Sequence, residues 1–154
     1  MIYQANFEWF DPGRIELRED EPELKGIDLG QLGAEICVWP GYHQSIWLSE
    51  GHVGQILACG GVHKLSCVRG EAWVILDRRA EKYTKTVYQY IRSVLWVGVR
   101  TLRLTRIEAN VHESHPKART LMKHLGFRYE SLKPKYFHDG GASLHYVYFP
   151  KALT

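Results

Sequence analysis

The chain has 154 residues, which suits one domain with its own hydrophobic core, so we expect a single domain over residues 1–154. Its net charge of +3 is too small to favour a nucleic-acid-binding protein, and no segment approaches the roughly 18 apolar residues of a membrane span. The three cysteines form no CxxC pair, which disfavours a disulfide scaffold and a structural zinc site and indicates a reducing compartment, the cytoplasm.

Charge is distributed unevenly along the sequence. Residues 1–50 carry 10 acidic and 3 basic side chains, a net −7, whereas residues 51–154 carry 7 acidic and 17 basic side chains, a net +10. The basic part is suited to a polyanionic ligand, and the acidic part to a cationic substrate or a protein partner.

The N-terminal residues predict a strand and then a helix. Residues 2–10 alternate loosely between apolar and polar side chains, which indicates an edge strand. Pro12 suits a first helical position with Asp11 as its cap, so we expect a helix through the RIELRE segment. The acidic run Glu19–Glu23 is predicted to be a solvated face or turn.

Short elements follow, and then strands dominate. Residues 32–38 predict a helix and residues 39–42 a loop. The next segments, 44–50, 53–62 and 71–76, have strand patterns separated by turn signals, and together they predict an antiparallel meander. These turn signals lie at Glu50–Gly51, Gly60–Gly61 and Arg69–Gly70.

The segment 71–127 is the centre of the prediction. Apolar side chains recur at helical spacing over residues 85–99, and a basic loop, 77–84, joins this helix to the strand before it. Such a loop at a helix N-terminus favours phosphate binding. A strand at 106–111 and a short helix with Pro116 at its start and Gly126 beyond its end complete the unit. Strands joined by a helical crossover are predicted to be parallel neighbours.

Two more strands are predicted after Phe127. They lie at residues 129–137 and 143–149, and the turn HDGG at 138–141 joins them as a hairpin.

The run RIEANVHESHPKARTLMKHLGFRYE (106–130) and the terminal hairpin resemble the GNAT superfamily, the Gcn5-related N-acetyltransferases, over about residues 45–150. Short bacteriophage-encoded GNAT-like proteins look similar in length and in this closing block. The resemblance implies an α/β (α+β) fold with a central mixed, mostly antiparallel sheet of 6–7 strands and flanking helices. A parallel, splayed pair of strands would form the acetyl-CoA cleft.

The resemblance also implies which residues bind the cofactor. They are the strand and loop residues Val74, Ile75, Leu76, Arg78, Arg79, Ala80, Lys82, Tyr83 and Thr84, and the helix residues His115 and Arg119. The chain departs from the family at three places. Its loop, RRAEKYT, has no glycine, and His115, with Ser114 beside it, stands where the family commonly has an asparagine at the start of the last helix. Met122 stands where the family commonly has the tyrosine that protonates the thiolate.

Acetyl transfer to an amine requires a base that removes a proton from the amine and, ideally, an acid that protonates the leaving thiolate. Glu71 and Glu108 are the candidate bases. Candidate replacements for the missing acid are Tyr83, His112, His115 and Tyr129. A backbone N–H within residues 74–76 is expected to polarise the thioester carbonyl. The HESH motif is not HExxH, so no metal is predicted.

The first hypothesis is therefore an acetyl-CoA-dependent N-acetyltransferase whose acceptor is an amine of a small molecule or a protein. The alternative is a GNAT-shaped, non-catalytic or weakly catalytic interaction protein that binds and modulates a (host) protein partner through the acidic N-terminal third. A third idea, nucleic-acid binding through basic side chains of the second part of the chain, is disfavoured by the small net charge.

Overall fold

The computed structural model describes residues 1–50 and 53–151. Within them the chain forms seven strands, three α-helices and two short 3-10 helices. The strands are β1 (Ile2–Asn6), β2 (Gly41–Glu50), β3 (Val53–Lys64), β4 (Arg69–Leu76), β5 (Arg106–His112), β6 (Arg128–Lys133) and β7 (Ser143–Tyr148). The helices are α1 (Leu29–Cys37), α2 (Thr84–Leu102) and α3 (Pro116–His124), and the 3-10 helices are Pro12–Arg14 and Arg78–Tyr83.

All seven strands belong to one sheet in the order β1-β2-β3-β4-β5-β7-β6. Every neighbouring pair is antiparallel except β4 and β5, which are parallel. This parallel pairing covers three residue pairs, from Arg69 with Arg106 to Glu71 with Glu108, and the two strands then separate. The expected mixed sheet with one splayed parallel pair is confirmed.

The sheet has a different apolar layer on each face. On one face, here called the helix face, side chains of α2 and α3 pack on β5 and β7 through Leu95, Met122, Ile107 and Tyr146. The opposite face, here called the N-terminal face, is covered by the segment 15–24 and by α1. Successive strand residues point to opposite faces, so Glu71 shares the N-terminal face with Trp73 and Ile75. Over residues 1–50 and 53–151 no helix is long and apolar enough to cross a membrane.

Three predictions in the first half of the chain are wrong. The helix expected after Pro12 stops at Arg14, and Ile15 is extended (φ −82°, ψ 132°). Ile15 and Leu17 alternate with charged residues, and as an extended segment they pack on the N-terminal face. The turns expected at Gly60–Gly61 and Arg69–Gly70 lie inside β3 and β4, and the chain reverses instead at residues 65–68.

Other boundaries differ by a few residues. Helix α1 begins at Leu29 because the Asp28 side chain caps it by accepting from the N–H groups of Gly30 and Gln31. Part of the loop expected at 39–42 belongs to β2, and β6 ends at Lys133. The basic loop is wound as the 3-10 helix Arg78–Tyr83. Of the turn predicted at Glu50–Gly51, residue 51 lies outside the described residues.

Helix α3 follows the sequence prediction closely. Pro116 is its first residue, and the Nδ1 atom of His115 accepts from the N–H of Ala118 as the N-terminal cap. Gly126, just beyond the helix, has a φ of +88°, which glycine adopts without strain.

Asp77 fixes the end of β4. Its side chain is fully buried and accepts hydrogen bonds from the N–H of Glu16, 2.8 Å away, and from the N–H and guanidinium of Arg79 at 2.7–2.8 Å. Burial opposes ionisation, but these bonds outweigh it and lower the pKa of Asp77. Asp77 therefore ties β4 to the segment that covers the N-terminal face.

We expect Asp77→Asn to lower the free energy of unfolding by about 1–3 kcal/mol near neutral pH, because the Arg79 guanidinium loses its anionic partner. A lowered folded-state pKa stabilises the protein above the unfolded value of about 3.9, and that contribution is lost as the pH falls through the folded value. The difference between the variant and the parent, measured by urea unfolding, should therefore shrink in acid.

Glu16→Gln is the matched control. Glu16 pairs with Arg78 at 2.6 Å on an exposed surface, so its loss should cost less than about 1 kcal/mol. An equal deficit of Asp77→Asn in acid and at neutral pH would contradict the assignment.

Candidate functional site

A cavity of about 440 Å³ lies where β4 and β5 separate. On the helix face its wall includes Val94 of α2 and Leu121 of α3, and on the N-terminal face it includes Leu24 and Trp73. Ala109 of β5 lies on the strand that bounds the gap. The cavity is therefore lined by residues from both faces of the sheet.

Backbone amides of β4 point into this gap. The N–H of Asp77 donates to the carbonyl of Leu57 on β3, so alternate residues of β4 direct their N–H groups towards β3. The residues between them direct theirs towards β5, whose pairing with β4 ends at Glu71. The N–H groups of Val74 and Leu76 consequently face the gap, where they can polarise a carbonyl. The sequence predicted that an N–H within residues 74–76 polarises the carbonyl but could not say which one. The direction of the hydrogen bonds in β4 leaves the N–H groups of Val74 and Leu76 as the candidates.

Glu71 lies at the narrow end of the gap and lines the cavity. The side chain of Asn110 on β5 lies close enough to favour the ionised form of Glu71. The Oδ1 atom of Asn110 accepts from Ser143 Oγ and from His145 Nδ1, each 3.0 Å away, which leaves its amide nitrogen as the group that can donate to a carboxylate. Burial raises the pKa of Glu71, which makes it a stronger base than an exposed glutamate.

Glu108 has a different environment on the neighbouring strand. It is buried and pairs with Arg69 at 2.9 Å and with Arg106 at 3.0 Å. Burial opposes ionisation, but the bonds from both guanidinium groups outweigh it and lower its pKa. The carboxylate oxygens of Glu108 are thus engaged by two arginines, which makes Glu108 a weak base. Of the two candidate bases, Glu71 is therefore the better proton acceptor.

Glu23 is a cavity residue that the sequence did not indicate. Its Oε1 atom accepts from the backbone N–H of His112 at 2.7 Å, at the end of β5. Burial raises its pKa. The acidic run 19–23 was predicted to be solvated, and nothing local in it distinguishes Glu23 from its neighbours. Only the docking of this segment against β5 does so.

Neither His112 nor Tyr129 reaches the cavity. The Nε2 atom of buried His112 is 2.8 Å from Asp139, and its Nδ1 atom accepts from the N–H of Ser114. Tyr129 pairs opposite Tyr146 and therefore lies on the helix face, where 56% of its surface is exposed. Neither side chain is among the residues that line the cavity in the described part of the chain.

The cations of the predicted phosphate loop are largely paired within the chain. Arg79 binds Asp77, and Arg78 binds Glu16. Ala80 is buried in the core beneath α2, so it leaves no space for a ligand. Lys82 and Thr84 are exposed at the start of α2, with half-buried Tyr83 between them.

The remaining predicted residues divide between the cavity and its surroundings. Val74 and Ile75 line the cavity, whereas Leu76 packs into the core with the partly buried residues around it. His115 caps α3, and its Nε2 atom is 3.2 Å from Glu21, a bond that raises the pKa of His115. Arg119 is exposed on α3. A contact of 3.0 Å between Lys117 and Glu81 holds the start of α3 next to the 3-10 helix before α2.

Over the described residues no three histidine, cysteine, aspartate or glutamate side chains are arranged to hold a metal ion. The predicted site residues that the structure brings together at the gap are thus Glu71, Val74 and Ile75. Asn110 and Tyr136 join them from β5 and from the loop after β6.

No protein-family model matches the sequence, and no curated protein matches it. The structure, in contrast, matches solved acetyltransferases over nearly its whole length. Ard1 from Thermoplasma volcanium is 14% identical with a TM-score of 0.75, over 98% of this chain and 99% of that chain. A GNAT-family acetyltransferase from Bacillus anthracis is 14% identical with a TM-score of 0.71, over 96% and 94%.

A third similar structure is the NatC complex bound to Gag peptide and CoA, which is 9% identical with a TM-score of 0.65, over 97% of this chain and 99% of that chain. At these identities the likeness concerns the fold. The chain has the fold of the GNAT acetyltransferases.

We expect the carboxyl groups of Glu71 and Glu108, which are neighbours on adjacent strands, to ionise at clearly different pH values. Burial raises the pKa of Glu71, and the two arginines lower that of Glu108, so on titration from acid Glu108 should ionise first. Carbon-detected NMR of the side-chain carboxyls measures both. Asn110→Leu removes a polar side chain that favours ionised Glu71 and should raise the pKa of Glu71 further. Coincident titrations of the two residues would contradict this account.

Proposed function

We propose that the chain is an acetyl-CoA-dependent N-acetyltransferase of the cytoplasm, a single domain over residues 1–154 that acetylates an amine of a small molecule or a protein. The observation that carries this proposal is the gap between β4 and β5, which contains a cavity of about 440 Å³ lined by residues from both faces of the sheet. A thioester donor entering from the helix face meets an acceptor entering from the N-terminal face.

The donor would be held by backbone and cationic groups. The N–H groups of Val74 and Leu76 would donate to the thioester carbonyl and stabilise the negative charge that develops on its oxygen. The N-terminus of α2, which begins at Thr84, would receive the diphosphate with help from Lys82 and Arg119. Arg78 and Arg79 would contribute at longer range while paired with their carboxylates.

Glu71 would act as the base. An alkylammonium acceptor has a pKa of about 10.4, so it must lose a proton to Glu71, directly or through water, before it attacks. The neutral nitrogen then forms a bond to the carbonyl carbon and the carbon–sulfur bond breaks. The second proton that the nitrogen loses as it becomes an amide passes, through water, to the departed thiolate. Met122, which lines the cavity on the helix face, donates no proton, but a thiolate whose acid has a pKa of about 8.5 leaves without one.

A second candidate is a GNAT-shaped interaction protein with little or no transfer activity. The pairing of Arg78 with Glu16 and of Arg79 with Asp77 favours it, because two loop cations are thereby partly neutralised. The acidic segment expected to bind a partner is itself partly used within the chain, since Glu21 binds His115 and Glu23 binds the His112 backbone. A folded protein that binds no acetyl-CoA would support this candidate.

We expect the double variant Lys82→Glu and Arg119→Glu to bind acetyl-CoA roughly tenfold more weakly or worse, because it reverses two exposed charges next to the predicted diphosphate site. Isothermal titration calorimetry at two salt concentrations measures the effect. The control is Arg100→Glu with Lys151→Glu, which makes the same charge change near the C-terminal ends of α2 and β7, away from the site. Equal weakening by both pairs would contradict the diphosphate assignment.

We expect Glu71→Gln to lower kcat by roughly a hundredfold or more and to leave the dissociation constant of acetyl-CoA nearly unchanged, because the amine loses its proton acceptor. Release of the free thiol, followed with a thiol reagent, measures the rate. Tyr129→Phe serves as the control, since Tyr129 lies on the other face of the sheet and outside the cavity. A fully active Glu71→Gln enzyme would eliminate Glu71 as the base.

A further inference from the structure

We propose that the acceptor is a linear diamine, whose first amine reacts beside Glu71 and whose second, as an ammonium, binds Glu23 at the other end of an apolar linker. This inference rests on the acetyltransferase function proposed above and specifies the acceptor of the same site. It follows from the positions of the two carboxylates and from the side chains between them.

Both carboxylates line the same cavity without a lysine or arginine partner. Within residues 1–50 and 53–151, neither Glu71 nor Glu23 forms an ion pair with a lysine or arginine, while Lys133 attracts Glu71, and His115 and His112 attract Glu23, without direct pairing. Glu108, which lies beside Glu71, is paired with two arginines. Burial raises the pKa of Glu71 and of Glu23 because a negative charge is poorly solvated there. An ammonium bound at each carboxylate would compensate for that cost.

The two carboxylates are separated along β5. Glu71 is in register with Glu108, and Glu23 Oε1 accepts from the N–H of His112, four residues further along the strand. At a rise of about 3.3 Å per residue, the two positions on β5 next to which Glu71 and Glu23 lie are about 13 Å apart along the strand. A ligand with positive charge at both ends of a chain of that order can reach both.

Apolar and aromatic side chains occupy the wall on this face. The lining includes Leu24, Ile27, Trp73, Ile75, Tyr136 and Phe137. Such a wall suits a methylene chain, and the aromatic rings also favour cations that pass over them. A free carboxylate on the acceptor would be repelled by Glu71 and Glu23, so free amino acids are poor candidates.

A substrate series tests the proposal. Primary diamines with linkers of increasing length, each beside the monoamine of the same length, are acetylated at saturating acetyl-CoA, and kcat/KM is measured from thiol release. A diamine should exceed its matched monoamine by roughly tenfold or more once the linker approaches the span of about 13 Å, and shorter diamines should show less advantage.

Variants at Glu23 connect the preference to the structure. Glu23→Gln retains a carbonyl oxygen for the His112 N–H but removes the charge, so the ratio of diamine to monoamine kcat/KM should fall to about one. The control is Glu113→Gln, because the Glu113 side chain accepts from the Ala142 N–H in a similar way and is not among the residues that line the cavity in the described part of the chain. The ratio should persist in this control.

Three outcomes would overturn the inference. Monoamines acetylated as well as diamines at every length, or a diamine preference that survives Glu23→Gln, would remove Glu23 from the site and leave the acetyltransferase function standing. Acetylation of no amine at all by a folded protein that binds acetyl-CoA would overturn the proposed function as well.

Discussion

The structure depends on a parallel pairing that stops after three residue pairs. Beyond Glu71 and Glu108 the strands β4 and β5 are each held by a different partner. The end of β4 is held by Asp77, which binds the N–H of Glu16, and the end of β5 is held through the His112 N–H, which donates to Glu23. The segment 16–23 is thus hydrogen-bonded to the ends of both strands, where β4 and β5 are separated.

This separation gives the gap its chemistry. Backbone N–H groups of β4 that a longer pairing with β5 would have hydrogen-bonded remain directed into the gap. Polar side chains of β5 and β7 lie at its narrow end. There, Asn110 is oriented by Ser143 and His145 and supports Glu71. The contrast with Glu108 is electrostatic, because arginines neutralise one carboxylate and leave its neighbour on the next strand without a direct cationic partner.

The segment 77–84, where we propose that the diphosphate binds, contains no glycine. A glycine-free segment cannot bring its backbone as close to a phosphate as a glycine-rich loop can. Here the segment winds into a 3-10 helix that places Ala80 in the core and Arg79 against Asp77. The pair of Arg79 with buried Asp77 therefore orders the loop. In the proposed function, the positive charge that attracts the diphosphate comes from the N-terminus of α2 and from side chains such as Lys82.

The sequence by itself determined the elements whose signals are local. The stripe of apolar residues in α2, the Pro116 and Gly126 boundaries of α3, and the crossover that makes β4 and β5 parallel follow from periodicity, capping and chain connectivity. The family resemblance then supplied the splayed pair and the general position of the site.

Only the tertiary structure decided what the residues around Glu16 and Glu23 do. The alternation of Ile15 and Leu17 with charged residues is compatible with the start of a helix or with an extended segment. Burial against the sheet favours the extended segment. Glu23 differs from the other acids of its run only because β5 offers it a free N–H. Sequence patterns report which face a residue occupies within its own element, whereas the partners that satisfy a charge come from distant parts of the chain.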